Sequence, residues 1–343
     1  MQGVYPLFTA IPLAAAFFNL LVTKINKRFA DYIAVLVTGT LAILASRMIF
    51  ETPFSYHVGG WPPPLGILLV SDGLSSLMLL IINVISFIAV IYSLKYMTGY
   101  TAKSKYFSPF LLMLAGMNGV VITGDLFNLF VFLEIASIAS YALVGFGCEH
   151  EELEASFKYL ILGSVASTAI LFGIAFLYSV AGTLNMPDLA RQLEIVGINR
   201  AVAFVIALFI MGFGLKASSV PFHAWLPDAH PSAPAPISAM LSGVLIKALG
   251  VYAIARIMFN VIGPNEMVSS ILMFLGALSM VVGVLLAVGQ LDIKRMLAYS
   301  SISQIGYVTM GLGLGLNPGV APAIAAPRPF GALYPPPHHA VLK

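Results

Sequence analysis

Long apolar runs constrain this chain more than any other feature, because one helix needs roughly 20 apolar residues to cross the hydrocarbon of a membrane. The first run, from about Val4 to Val22, is long enough to be retained as a membrane helix. The segment from Ser219 to Pro236 is too polar and too rich in proline to be an ordinary span. About ten spans are predicted: 4–23, 31–50, 72–94, 107–123, 125–146, 157–180, 201–217, 237–259, 267–289 and 296–316. The sequence therefore predicts an all-α, polytopic transmembrane helix bundle.

Composition supports a membrane protein and excludes several other classes. Of the 343 residues, 59% are hydrophobic and 9% are charged, whereas a soluble domain carries about 25% charged residues. A net charge of +3 gives no basis for a nucleic-acid partner. The lone Cys148 excludes an intrachain disulfide and a Cys-ligated cluster held by this chain alone. No cofactor or metal is expected, so any redox centre would lie in another subunit.

The distribution of basic residues predicts the orientation in a cell membrane. Placing the amino terminus outside puts eight Lys and Arg residues in cytoplasmic loops, whereas the opposite loops hold little beyond Arg191 and Arg200, as the positive-inside rule requires. Tyr56 and Trp61 then lie at the outer interface, where aromatic rings are favoured. The basic residues in question are Lys24, Lys27, Arg28, Lys95, Lys103, Lys105, Lys294 and Arg295.

Two segments differ in character from the spans. Met186 to Val196 alternates charged and apolar residues at helical spacing, which favours a short helix on the surface, with a solvated loop as the alternative. Repeated prolines after Leu316 disfavour a regular membrane helix. We therefore expect a transmembrane domain over 1–316 and an irregular Pro/Ala-rich tail over 317–343.

Glu134 is an acid where lipid is expected, and a buried charge needs a partner or water. It lies about nine residues into its span, roughly 14 Å deep at 1.5 Å per residue. Ser137 and Tyr141 follow at i+3 and i+7, so this helix has one polar face. The alternative role for Glu134 is a structural hydrogen bond between helices.

Two lysines are the other candidates. Lys216 ends an apolar run just before Pro221, which predicts a broken helix with unpaired carbonyls beside an ammonium group. Lys247 lies about ten residues into the next span. Either lysine could instead extend its charged end to the membrane interface. Beside a carboxylate, a buried lysine can gain or release a proton when that carboxylate moves, so the three residues predict a proton relay.

Four segments, in this order, carry a resemblance: TGDLFNLFVFLEIASIASYALVGFG; ASFKYLILGSVAS with GTLNMPDLA; GFGLKASSVPFHAWLPDAHPSAPAPISAMLSGVLIKALGVYAIAR; and LDIKRMLAYSSISQIGY. Over roughly residues 70 to 316 the chain resembles the antiporter-like subunits of respiratory complex I, Mrp sodium/proton antiporters and membrane-bound hydrogenases. The resemblance implies an inverted-repeat fold.

It also implies residue roles. Glu134 is similar to the family's glutamate that pairs with the lysine of the broken helix, here Lys216, and Lys247 to the bridging lysine. His230 is implied as a weaker member of the hydrophilic axis, and a structural histidine is the alternative for both His223 and His230. The expected partners are further antiporter-like and small membrane subunits of an ion-translocating oxidoreductase or antiporter complex, together with H⁺ and Na⁺.

The chain differs from the family pattern at its C-terminal end. The family has further helices that carry a second functional Lys or Glu, and this chain ends before them. We therefore expect either a C-terminally truncated fold lacking its last helices or a misread or frame-altered end of the sequence, and in both cases the relay of this chain by itself is expected to be incomplete. A non-translocating membrane scaffold is the main alternative function. A quinone-binding redox subunit would need an aromatic-lined pocket and a cluster interface on the cytoplasmic loops, and the sequence offers no cluster ligands. A solute carrier would need a substrate cavity, for which the sequence offers no distinctive residues.

Overall fold

A computed structural model of the chain describes residues 2–23, 28–50, 53–100 and 102–320. The expected tail therefore lies almost wholly outside the described residues, as do Lys24 and Lys27. The main helices, in chain order, are α1 (Leu7–Val22), α2 (Phe29–Met48), α3 (Gly73–Tyr96), α4 (Lys103–Ile122), α5 (Leu126–Val144), α6 (His150–Ala181), α7 (Met186–Val196), α8 (Arg200–Lys216), α9 (Leu226–Ser232), α10 (Ala235–Ile262), α11 (Glu266–Val288) and α12 (Ile293–Gly315).

The helices confirm the predicted architecture. Each of the ten predicted spans coincides with one helix, namely α1 to α6, α8 and α10 to α12. Within the described residues, 7 helices are long and apolar enough to cross a membrane. The chain is a multi-pass membrane protein. Helix α6 begins at His150, earlier than predicted, because the side chains of Glu149 and Glu152 cap its first turn reciprocally.

A small β-hairpin departs from the all-α prediction. Strand β1 (Phe54–His57) pairs antiparallel with β2 (Leu68–Ser71), and Phe54 lies opposite Ser71. The hairpin connects α2 to α3 and carries the prolines of its turn between the two strands. Strands of four residues contain too few positions for the alternation of apolar and polar residues to be recognised beside long apolar helices.

The short segment Met186 to Val196 is a helix, so the loop alternative is wrong. The Asn185 side chain caps α7 by accepting from the Asp188 amide, 3.3 Å away. Met186, Leu189 and Leu193 are buried, whereas the charged residues of α7 lie on its other face. This is the amphipathic arrangement that the spacing predicts.

Close helix packing follows from small residues, as is typical in membranes. Helices α11 and α12 approach so closely at Gly276 that an added Cβ would lie 2.6 Å from the Met310 nitrogen.

Between α3 and α4, the buried Asn83 and Asn118 amides bond each other reciprocally at 3.0 and 3.2 Å. Asn118 also donates to the Phe8 carbonyl of α1 at 3.0 Å, so this polar pair joins three helices.

The predicted break after Lys216 is present. Helix α8 ends at Lys216, and Ser218 adopts a left-handed conformation with φ of 58°. The Ser219 amide then donates back to the Gly214 carbonyl at 2.9 Å. The chain resumes in α9, and α10 passes against the break: a Cβ on Gly250 would lie 2.4 Å from the Ala217 backbone. The break therefore lies inside the bundle.

Candidate functional site

Glu134 projects from α5 toward α6. Its side chain keeps 27% of its surface exposed, and its Oε1 accepts a hydrogen bond from the Ser167 hydroxyl of α6. The Ser167 hydroxyl is itself close to the Gly163 carbonyl, 2.9 Å away on its own helix. Glu134 is thus anchored to a neighbouring helix while retaining some access to its surroundings.

Lys216 is almost wholly enclosed, since 2% of its side chain is exposed. Its Nζ lies 3.6 Å from Glu134 Oε1, which makes the two an ion pair. The closer partners of the ammonium group are hydroxyls: Ser137 Oγ at 2.8 Å and Tyr141 OH at 3.3 Å. The structure therefore brings together Lys216 and the polar face of α5, which the sequence predicted at i, i+3 and i+7.

This geometry suits a pair whose charges interact without locking together. At 3.6 Å the charges attract strongly, yet the distance exceeds that of a normal N–H···O hydrogen bond, about 2.7 to 3.2 Å. The hydroxyls of Ser137 and Tyr141 instead accept two of the three ammonium hydrogens. A small movement of the Glu134 carboxylate can therefore change the electrostatic interaction without removing these hydrogen bonds from the lysine.

An aromatic group that the sequence reasoning missed surrounds the helix break. Trp225, at the start of α9, donates its indole N–H to the Leu215 carbonyl at 3.0 Å. Its ring stacks on Tyr159 of α6 with centroids 4.0 Å apart, and Tyr159 meets Tyr141 edge to face at 4.5 Å. Nothing in the periodicity signals these contacts, because the three rings come from separate segments.

Lys247 lies on α10 three residues before Gly250, the residue that packs on the break. Its side chain is exposed in the described residues, and its Nζ donates to the Ser242 carbonyl of the same helix at 2.5 Å. Lys247 thus places a third charge on α10, the helix that packs against the break beside the ion pair. The structure does not bring Lys247 into direct contact with Lys216 or Glu134.

The two predicted histidines occupy different surroundings. His230 is buried, and its Nδ1 pairs with the Ser238 hydroxyl at 2.6 Å, while Nε2 has no partner among the described residues. His223 is half-buried, with its ring 6.4 Å from that of Tyr299. His230 is therefore the more deeply buried of the two histidines.

Charged residues hold α9 in place from both sides. Asp228 of α9 pairs with Lys158 of α6 at 3.1 Å and with Arg295 of α12 at 2.8 Å. Lys294 donates to the Pro231 and Ala233 carbonyls at 3.1 and 2.9 Å, which satisfies the end of α9. The segment after the break is consequently fixed to two other helices.

The sequence analysis did not predict a second ion pair, which joins the start of α3 to the C-terminal part of α10. Arg256 of α10 binds Asp72, the residue that caps α3, with both guanidinium nitrogens, and its Nε donates to Tyr252 OH at 2.8 Å. Burial by itself would raise the pKa of Asp72. The hydrogen bonds and charge of Arg256, together with hydrogen bonds from Ser75, outweigh burial, so the pKa of Asp72 lies below its ordinary value. This pair fastens α10 to α3.

Within the described residues, no group of three or more His, Cys, Asp or Glu side chains could hold a metal ion. The groups that the site does hold, a buried ammonium group, a carboxylate and hydroxyls, can accept, hold and release a proton.

Two family profiles match the chain. The profile described as NADH:quinone oxidoreductase/Mrp antiporter, TM covers residues 123–326, which include every candidate site residue. The profile described as NADH-Ubiquinone oxidoreductase (complex I), chain 5 N-terminus covers residues 57–107.

Individual relatives agree with the profiles. NADH-quinone oxidoreductase subunit N of Desulforudis audaxviator is 38% identical over 320 residues, which cover 90% of this chain and 63% of that protein. A Na(+)/H(+) antiporter subunit of Alkalihalophilus pseudofirmus is 36% identical over 292 residues, which cover 84% of this chain and 56% of that protein.

A solved structure shares the fold. A chain of the membrane-bound sulfane sulfur reductase (MBS), an archaeal respiratory membrane complex, superposes with a TM-score of 0.86 at 37% identity, over 92% of this chain and 65% of that chain. The present chain therefore spans less than two thirds of the length of each of these relatives.

Proposed function

The chain belongs to the NADH:quinone oxidoreductase/Mrp antiporter transmembrane family, and from that premise we propose that it translocates protons, or exchanges Na⁺ for H⁺, through a buried Glu/Lys relay. The family resemblance expected from the sequence is confirmed. The observation that carries the proposal is the ion pair of Lys216 and Glu134, 3.6 Å apart inside the bundle. Charges at this depth are costly and characteristically mark ion pathways.

In the proposed relay, Glu134 and Lys216 form the first charge pair. Movement of the carboxylate changes the electrostatic interaction with the ammonium group, so Lys216 releases or takes up a proton. Lys247 receives the charge on α10 through water, and His230, whose Nε2 lacks a partner among the described residues, extends the polar path. No covalent step is needed.

The setting is proposed as well. The chain would act as a membrane subunit of a complex I-related, membrane-bound hydrogenase-type or Mrp-type assembly, beside further antiporter-like and small membrane subunits. The relatives named above include an oxidoreductase subunit, an antiporter subunit and a chain of a respiratory complex. We place it in the cell membrane with its amino terminus outside, on the strength of the basic residues in alternate loops.

The test is the ion-driven pH change in everted vesicles that carry the full assembly, comparing wild type with Glu134→Ala and Lys216→Ala. Loss of the signal in both variants, with the assembly still present in the membrane, is the expected result. The alternative, a scaffold whose charges only hold helices together, predicts unchanged transport in both variants.

A further inference from the structure

Lys216 is fixed at both ends by one continuous set of contacts. Its ammonium group reaches Tyr141 OH at 3.3 Å. Its backbone follows Leu215, whose carbonyl accepts from the Trp225 indole at 3.0 Å. Between these two contacts the rings of Trp225, Tyr159 and Tyr141 touch in sequence. We call these three residues the aromatic bridge.

The bridge matters because α8 ends at Lys216 and so does not hold this residue from its C-terminal side. In a continuing helix, the Leu215 carbonyl would accept from the amide four residues later. Here the left-handed Ser218 ends that pattern, and Leu215 accepts from the Ser218 amide at 3.1 Å and from Trp225. A side chain from beyond the break thus secures the last turn of α8, immediately before Lys216.

The middle of the bridge is held as firmly as its ends. The Tyr159 ring lies nearly parallel to Trp225, at 5°, and nearly perpendicular to Tyr141, at 84°, two geometries that aromatic pairs favour. The Ser140 hydroxyl donates to Tyr159 OH at 3.0 Å. All three rings are buried, with 1% to 5% of their surface exposed.

The backbone of α6 also makes room for the bridge. A Cβ on Gly163 would lie 1.9 Å from Tyr141 OH, so only glycine lets that hydroxyl occupy its position. The hydroxyl is therefore held between α6 and the lysine. Packing of the tyrosine ring alone would not require a fixed hydroxyl position. Here the hydroxyl, the one polar atom of the side chain, is oriented toward the ammonium group.

We propose that the aromatic bridge is a positioning element, which holds the Lys216 ammonium beside Glu134 at contact distance and thereby sets the rate of charge movement between them. This inference rests on the proposed function. Trp225 and Tyr159 act through Tyr141 and the α8 backbone, whereas Tyr141 touches the lysine itself.

The experiment measures ion-driven pH change in everted vesicles that carry the full assembly, with Tyr141→Phe and Trp225→Phe. Both changes keep an aromatic ring and remove one hydrogen bond, so the assembly should remain intact. A hydrogen bond to a charged group predicts that Tyr141→Phe lowers the maximal rate about tenfold. Trp225→Phe, which acts through the backbone, should lower it less, and Trp225→Leu, which also loses the stack, should lower it more.

Tyr106→Phe is the matched control. Tyr106 is fully buried in α4 and its hydroxyl bonds Ser93 at 3.1 Å, yet it lies outside the bridge. We expect Tyr106→Phe and Tyr141→Phe to lower the thermal stability of the assembly similarly, while only Tyr141→Phe slows transport. A purely structural role would give equal transport in the two variants and would overturn the inference.

Lys216→Ala separates this inference from the proposed function. If Lys216→Ala abolishes transport while Tyr141→Phe and Trp225→Phe match wild type, the relay stands and the aromatic bridge does not position it. If Lys216→Ala itself transports like wild type, the relay is refuted, and the role of the bridge is refuted with it.

Discussion

The ion pair of Lys216 and Glu134 predicts an unequal response to removing either partner. Glu134→Gln leaves an ammonium group with 2% of its side chain exposed and no counter-charge. Lys216→Met leaves a carboxylate that is 27% exposed and still bonded to Ser167. Because an unpaired charge costs more where water cannot reach it, Glu134→Gln should destabilise the fold more than Lys216→Met.

The magnitude follows from the separation of the charges. At 3.6 Å, two unit charges attract by about 5 kcal/mol with an effective dielectric constant of about 20. Breaking a buried pair costs about 3–5 kcal/mol, and the exposure of Glu134 places the expected coupling near the lower end, about 3 kcal/mol. The double variant, which removes both charges, should recover most of the loss suffered by Glu134→Gln.

The assay is a double-mutant cycle in the free energy of unfolding. The purified assembly in mixed micelles is titrated with SDS, and pulse proteolysis follows the unfolding of this chain in wild type, the two single variants and the double variant. A coupling below about 0.5 kcal/mol, the usual limit for independent sites, would refute the reasoning. So would a larger loss in Lys216→Met than in Glu134→Gln.

Three further predictions concern the rest of the molecule. Gly250→Val should lower the amount of assembly and its transport, because a Cβ there meets the Ala217 backbone at 2.4 Å, whereas Gly243→Val, with open space around it, should do neither in the same vesicles. With the amino terminus outside, the exposed and only cysteine, Cys148, should react with an impermeant maleimide in everted vesicles but not in intact cells, and the opposite labelling would refute the orientation. A carboxyl whose pKa is lowered by folding stabilises the protein above its ordinary pKa, and this contribution is lost as the pH falls through the folded value. Wild type should therefore lose more thermal stability below about pH 4 than Asp72→Asn does, and parallel losses would contradict the assignment.

Helix positions and the break could be predicted from the sequence because their signals are local. Apolar runs of sufficient length predicted the spans, and Pro221 predicted that α8 could not simply continue past Lys216. The polar face of α5 followed from helical spacing alone. Which lysine meets Glu134 did not follow from spacing, and the family resemblance supplied that pairing.

Contacts between distant segments could not be predicted from periodicity. Trp225 and Tyr159 stack across 66 positions of sequence (225 − 159), and Asp72 and Arg256 pair across 184. A hydrophobic period identifies the buried face of a helix but not the neighbour it packs against. The exposure of the Lys247 side chain could not be predicted either, because the depth of a residue along a span does not determine the direction in which its side chain projects.

The most direct test of the proposed relay is proton movement through the purified assembly in proteoliposomes, driven by an imposed Na⁺ gradient and membrane potential. Wild type is compared with Lys216→Ala and with Lys158→Ala, whose lysine also pairs with carboxylates but is 47% exposed. The relay predicts that Lys216→Ala abolishes the pH change while Lys158→Ala retains it. Equal pH changes in all three assemblies would contradict translocation through this chain.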